Sequence, residues 1–562
     1  MDNIATLQGP ASPALREPSD PGKASVARRP VRLGGPLVAL AALLLAVVAA
    51  FILTRPGPNP PADAAATVVP ADALGYVHLS IDPRRGAVRQ AQKLAARLPD
   101  FPLISATAIT RLDAMLGDGS PVDFGRDIRP WLGREAAVAL LDTSTGTAGS
   151  LTVLGVRHPQ HARSFLLRAG ASISGTYDGA QLYRYRSGTE LAFVSHYLAL
   201  GQDASVREAL DAGTGRTPSL MSSTAYRNAA AGEPDGRVLD AYVSAAGVRR
   251  VLESRTGALG ALGVMLDQPA LAGTAISVSP TSHGATIRVH SALDPAFRRP
   301  SGSRAPSFSP TLQGVLPTGS MLLLDTKSLA RAVPRVLTAA ATMGIAGRIG
   351  PLLARLGAAL SAEGVNVPSL MSLFSGETAV AIVPTRFVGG VPQSSSLVIL
   401  AKVRDEAATE DELGSLETPL TQLFPPPSDG PGQAPVFNDR QVAGITARQL
   451  ALAPGLQLDY AVFHNMLVVS TSLDGIAGVA HHARSLAHDR GFESTQANRP
   501  EHVSSLVFLD FSQLLTLGEQ TGLIRSGQLT KVRPDLDRVR AIGLDSTSGE
   551  SDTTAELYLQ IS

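Results

Sequence analysis

Residues 68–83 read VVPADALGYVHLSIDP, and residues 314–329 read GVLPTGSMLLLDTKSL. Each runs from a turn-forming proline through small and polar residues into a strand-like apolar run and an aspartate. Whether this is one strand met twice decides the fold, and the likeness continues outward from both stretches. PWLGREAAVALLDT at 130–143 answers LFSGETAVAIVPT at 373–385, matching Glu135 with Glu377. SLTVLGVR at 150–157 answers SLVILAKV at 396–403, and LAFVSHYLALG at 191–201 answers LDYAVFHNMLVVS at 458–470. RVLDAYVSAAGVRRVL at 237–252 answers SLVFLDFSQLLTLGEQ at 505–520, and TAISVSPTS at 274–282 answers RAIGLDSTS at 540–548. The matches keep one order, with offsets between 242 and 268 residues. Shared strand propensity does not impose such an order, so the sequence predicts a duplication.

The predicted plan of each copy is a first strand, two helices, a strand hairpin, a helix and a meander of three short strands. A helix, a strand, another helix and a final strand pair complete it. Hairpins mixed with helices indicate α+β architecture with mostly antiparallel sheets, helices packed on them, and alternation such as Ala285-Ile287-Val289 marking one wet face. The expected domains are copy one at 68–295 and copy two at 311–562, with a Pro/Ser/Arg-rich linker at 296–310.

Ahead of both copies, residues 33–54 read LGGPLVALAALLLAVVAAFILT, 22 residues without a charge. At 1.5 Å per residue, a helix of this length spans the roughly 30 Å bilayer core. Arg16, Lys23, Arg28, Arg29 and Arg32 precede it, and only Arg55 follows before Arg84. The positive-inside rule then puts the N-terminus in the cytoplasm and both copies outside. The apolar core exceeds that of a secretory signal, so the segment reads as an uncleaved signal anchor. Ala64-Ala65-Ala66 is the rival cleavage site. Residues 1–32 read as a disordered cytoplasmic tail, and 55–67 as a Pro-rich tether.

The chain of 562 residues has 44% hydrophobic and 17% charged residues, enough apolar content for sizeable cores. Net charge is +1, which gives no electrostatic case for nucleic acid. No cysteine is present, so disulfides, thiolate metal sites and cysteine nucleophiles are excluded.

A search for chemistry finds no catalytic motif. Ser172 lies in GASISG, which lacks the spacing of a nucleophile elbow. None of the five lysines completes a phosphate-binding loop, and no zinc-protease helix occurs. His158 and His161 share one helix face without a third ligand, and His481-His482 are adjacent. His196 and His464 fall at matched positions beside strand turns. Glu135 and Glu377 are the best-matched acidic pair, and are expected to hold turn amides before their strands rather than to act as acid or base. Asp82 and Asp325 read as helix N-caps, and Trp131 as core. No catalytic, cofactor or metal residue is therefore assigned.

The VPADALGYVHLSIDP opening behind a single anchor, with the GREAAVALL strand, resembles the actinobacterial domain-of-unknown-function family 3352. The resemblance covers about 68–562 and implies no activity. The expected protein is single-pass and membrane-bound, presenting its duplicated module for binding or scaffolding at the cell envelope. Two alternatives stay open: carriage of a lipophilic ligand by the apolar stretch 328–364, and an envelope hydrolase. Its expected partners are the membrane and an envelope protein or lipophilic ligand.

Overall fold

The computed structural model describes residues 64–117, 122–142, 148–252, 266–268, 270–294, 296, 305–327, 329, 372–388, 391–422, 435–453, 456–520 and 533–562. The expected tail, the expected anchor 33–54, most of the expected tether and nearly all of 328–364 lie outside these residues. Among the described residues, no helix is long and apolar enough to cross a membrane.

The first half opens with β1 (Gly75–Ser80), α1 (Gly86–Ala95) and α2 (Phe101–Gly117). The hairpin β2 (Leu132–Asp142) and β3 (Ala148–Val156) leads to α3 (Pro159–Arg168). Four strands follow rather than the three expected: β4 (Ser172–Tyr177), β5 (Ala180–Arg184), β6 (Glu190–Val194) and β7 (Tyr197–Gly201). The polar SISGTY run of β4 lies at the sheet edge and buries little, so it carries no hydrophobic alternation to read. Then come α4 (Asp203–Gly213), α5 (Thr224–Ala229), β8 (Leu239–Ser244), β9 (Leu271–Pro280) and β10 (Gly284–Leu293).

The second half comprises β11 (Leu322–Thr326), β12 (Thr378–Val388), β13 (Val391–Lys402) and α6 (Glu406–Gln422). The meander β14 (Phe437–Val442), β15 (Ile445–Ala453), β16 (Leu456–Phe463) and β17 (Met466–Ser470) is followed by α7 (Leu473–Ala480) and α8 (Arg490–Thr495). The chain ends with β18 (Ser505–Asp510), α9 (Phe511–Gln520), β19 (Val539–Ser548) and β20 (Asp552–Ile561).

Among the described residues, all twenty strands join one antiparallel sheet. In the first half the order is β4-β5-β6-β7-β3-β2-β1-β8-β9-β10. In the second it is β14-β15-β16-β17-β13-β12-β11-β18-β19-β20. The halves meet where β10 pairs with β20.

Alternation along each strand gives the sheet two unlike faces. In the first half Leu79 and Ile81 join a core with Leu112, Trp131 and Phe165, under α2 and α3. Tyr76, Ala137 and Ala139 face the other way, into a core closed by Val206 and Leu210 of α4 and Tyr226 of α5. Helices thus cover both faces. The sole tryptophan, Trp131, is core as expected, its indole N–H donating to the Asp127 carbonyl at 2.7 Å.

On the α4/α5 face one line of directly opposed residues crosses the sheet. From β1 toward the junction it runs His78, Asp240, Ser277, Arg288. From β11 it runs Asp325, Leu506, Asp545, Glu556. The two runs meet at Arg288 opposite Glu556. This corrects the N-cap reading of Asp325, which lies inside β11, fully buried, at the place His78 holds in β1. Asp82 lies beyond β1 and accepts the Arg84 amide at 3.0 Å, while Arg85 occupies the N-cap position of α1.

The folded part also begins earlier than the tether reading allowed. Ala65–Thr67 form a 3-10 turn, and Ala65 and Ala66 are fully buried. Where the chain comes into the second half, Phe308 of the expected linker is buried and exchanges backbone hydrogen bonds with Val503 at 2.9 Å.

Candidate functional site

Each half holds a buried glutamate that fastens the incoming chain. Glu135 sits at the start of β2, where the pairing with β3 slips between Leu132 and Ala136. Alternation along β2 puts the Glu135 side chain on the α4/α5 face with Ala137 and Ala139. Gly133 is required beside it, because a Cβ there would lie 2.6 Å from the Gly155 backbone. The glycine–glutamate pattern seen in the sequence therefore reflects a close strand crossing next to an inward-turned carboxylate. In the second half a Cβ on Gly376, next to Glu377, would come within 2.8 Å of the Lys402 carbonyl.

Glu135 accepts the backbone N–H groups of Ala64 and Ala65, each at 3.2 Å, and the Tyr197 hydroxyl at 2.7 Å. Its Oε2 lies 3.2 Å from His78 Nε2. The other ring nitrogen, Nδ1, lies 2.9 Å from Asp240 Oδ1. Asp240 also accepts from Arg237 Nε at 3.2 Å, and that guanidinium reaches Glu233 at 3.1 Å. Arg85 donates to the Asp235 carbonyl at 2.7 Å, and burial followed by the Arg237 charge lowers its pKa.

Glu377 does the same work with different neighbours. It accepts the Thr311 amide, the Thr311 hydroxyl at 2.9 Å and the Leu312 amide at 3.1 Å. Lys402 Nζ stands 2.7 Å away. Burial alone would raise the Glu377 pKa, but Lys402 and the Thr311 donors outweigh it and hold the carboxyl below its usual value. Asp325 is driven the other way, up to about 8, by burial first and then by the Glu377 charge.

The amides held by the two glutamates belong to, or directly precede, the 3-10 turns Ala65–Thr67 and Leu312–Gly314, where the chain comes into each half. Sequence reasoning expected a turn just before the strand. The held turns lie some 70 and 65 residues earlier in the chain. Each incoming segment is fixed a second time. Pro70 bridges Ser219 and Pro317 bridges Ser485, while the Leu220 and Leu486 amides donate to the Val69 and Leu316 carbonyls. We call each incoming segment a strap and each glutamate its clasp.

The histidines singled out in the sequence lie apart from the clasps. His158 and His161 are exposed at the start of α3, their rings 5.6 Å apart. His196 and His464 are exposed in the β6–β7 and β16–β17 turns. His481 meets the Ala443 carbonyl at 3.0 Å. Ser172 is exposed on the edge strand β4. Among the described residues, no group of three His, Asp or Glu is arranged to hold a metal. Sequence reasoning passed over His78, Asp240 and Tyr197. For the first two the signal was a polar group at an inward position of an otherwise apolar strand, in GYVHLS and LDAYVS.

Fold and clasps together define an α+β protein built on a single antiparallel sheet, with two incoming segments buttoned to it by buried glutamates. A family model described as a protein of unknown function, DUF3352, matches residues 37–561, and the chain belongs to that family. No curated protein matches the chain. Solved structures titled crystal forms IV, III and I of TP0453 are similar at 11%, 10% and 12% identity, with TM-scores of 0.24, 0.23 and 0.23. The first two cover 43% of this chain and 83% of theirs, the third 42% and 80%. TM-scores of this size carry no inference about this chain.

Proposed function

We propose that this is a single-pass membrane protein whose duplicated α+β module stands outside the membrane as a binding or scaffolding element of the cell envelope. One observation carries the reading. The charge-free segment 33–54, with its basic residues on the N-terminal side, ends only nine residues before the strap at Ala64. Nine residues reach at most about 30 Å when extended, so the module is held close to the bilayer. Duplication is supported by the same strand order in both halves, by the matched clasps Glu135 and Glu377, and by the matched strap contacts of Pro70 and Pro317. The buried polar groups favour a structural module over a hydrolase, because His78 and Asp240 are sealed from solvent and paired with one another.

The chain has no cysteine, so single cysteines report topology cleanly. A membrane-impermeant maleimide should label Glu550→Cys in intact cells whose outer envelope has been permeabilised. Ser25→Cys should label only after lysis. The reverse pattern, or labelling of both only after lysis, overturns the proposal.

A further inference from the structure

The strand residue that faces each clasp occupies one register position in two chemical forms. His78 lies opposite Ala137, and Asp325 lies opposite Ala379. The His78 ring is fully buried between two carboxylates, Asp240 at Nδ1 and Glu135 at Nε2. Nδ1 is within hydrogen-bonding distance of Asp240, whereas Nε2 meets Glu135 as an ion pair, out of line for a hydrogen bond. Ionised carboxylates only accept and repel a ring lone pair, so a ring held between two of them is favoured with a proton on each nitrogen. The other polar groups around it sustain that state. Tyr197 and the strap amides complete Glu135, and Arg237 holds Asp240, with Glu233 and Arg85 behind it. Tyr76 stacks alongside, its ring centroid 6.5 Å away.

Asp325 meets the opposite problem. Glu377 is ionised, because Lys402, Thr311 and Leu312 all donate to it. Among the described residues, no donor faces either Asp325 oxygen, although the carboxyl is fully buried and its register partner Ala379 lies only two residues from Glu377. The next strand offers Leu506 where the first half has Asp240, and the charges of Lys402 and Arg499 act on Asp325 through space. Two adjacent carboxylates repel, whereas a carboxylic acid donates to a carboxylate.

We propose that His78 and Asp325 are one device: a buried proton that braces the clasp glutamate of each half, and whose loss in alkali loosens the strap. The first half carries the proton on an imidazolium and the second on a carboxylic acid. Both forms lose it as pH rises, so both straps respond in the same direction despite opposite side-chain chemistry. The raised Asp325 pKa agrees with this placement of the proton. Membrane topology has no bearing on the device, which acts where the chain is fastened to each half.

Hydrogen–deuterium exchange of the full-length chain, corrected for intrinsic rates, tests it between about pH 6 and about pH 9. Peptides over 305–316 should lose protection roughly tenfold per pH unit once Asp325 titrates, above about 8. In Asp325→Asn, whose amide donates at every pH, that protection should stay flat while peptides over 64–73 still loosen in alkali. Equal profiles in wild type and Asp325→Asn, or a flat wild-type profile, overturn the proposal. Should the variant not fold, nitrogen NMR of the histidine-labelled wild-type chain decides. One slowly exchanging imidazolium at neutral pH is expected, and a neutral ring for every buried histidine overturns the idea.

Discussion

Arg288 of β10 lies directly opposite Glu556 of β20, and each holds the same place in the strand order of its half. The register is centred on this pair, with Gly284–Gln560 four residues to one side and Ala292–Asp552 four to the other. A pairing centred in this way would set like charge against like if either strand met its own kind. Arg288 would face Arg288, or Glu556 would face Glu556. The opposite charges, with Nε to Oε1 at 3.8 Å, favour the pairing of unlike halves.

The pair is about one-third exposed, so its worth is modest. Arg288→Glu should cost about 1 kcal/mol, because the new carboxylate faces Glu556 and lies two strands from Asp545. The double exchange Arg288→Glu/Glu556→Arg should recover most of that. A double-mutant cycle by urea unfolding measures the coupling, and additive losses with no recovery would show that the charges do not communicate.

The same junction depends on a glycine. A Cβ on Gly284 would lie 1.8 Å from the Leu559 carbonyl oxygen, and backbone cannot swing aside as a flexible side chain can. Gly284→Ala should therefore destabilise by roughly 2 kcal/mol, with hydrogen exchange rising first along β10 and β20. An alanine variant with unchanged stability and protection there would contradict the close approach.

Much of this was legible in the sequence, for reasons that particular residues show. Glu135 and Glu377 stood out because a glycine nearby and an Ala-Val-Ala strand after each made a short, repeated pattern. The α+β class followed from helices interleaved with strands that turn-rich stretches such as STGTAGS at 144–150 join as hairpins. What the clasps hold was not legible, since Glu135 meets Ala64 and Ala65 across some 70 residues and no local pattern encodes that distance. Asp325 was misread because LLLDTKS looks like a strand end followed by a capped helix. Pairing with β12 and β18 carries the strand through Thr326 and buries the aspartate. His78 and Asp325 could not be matched by similarity, because one register position holds a histidine in the first half and an aspartate in the second.

Two further carboxyls make stability depend on mildly acid pH. Burial, then the Glu556 charge, raises Asp545 to about 6, with Arg499 opposing. Burial raises Asp459 to about 6 although Gln457 donates to it at 2.9 Å. A pKa above its unfolded value means the folded state holds the proton more tightly. The stabilisation is therefore full below the ordinary value of 3.8 and is lost as pH rises through about 6. Asp459→Asn/Asp545→Asn should flatten this decline between about pH 4 and about pH 6, read as urea midpoints at each pH. A wild-type midpoint that rises over that window by the same amount in both proteins would refute the assignment.

The start of the folded module can be located by where the chain is cut. Ala65, Ala66, Val68 and Val69 are all fully buried, and the Ala64 and Ala65 amides satisfy a buried carboxylate. Hydrogen bonds to a charged group contribute about 1.5–3 kcal/mol each, and losing them leaves Glu135 short of two donors. A chain beginning at Val68 should thus be about 3 kcal/mol less stable than one beginning at Pro61, by urea unfolding of the two side by side. Equal stability would mean the strap is ornamental. The same physics bears on Ala64-Ala65-Ala66 as a cleavage site. Cleavage after Ala66 would remove the Ala64 and Ala65 donors and leave a weakened module behind. N-terminal sequencing of the protein purified from the cells that make it should accordingly find no chain beginning at Thr67.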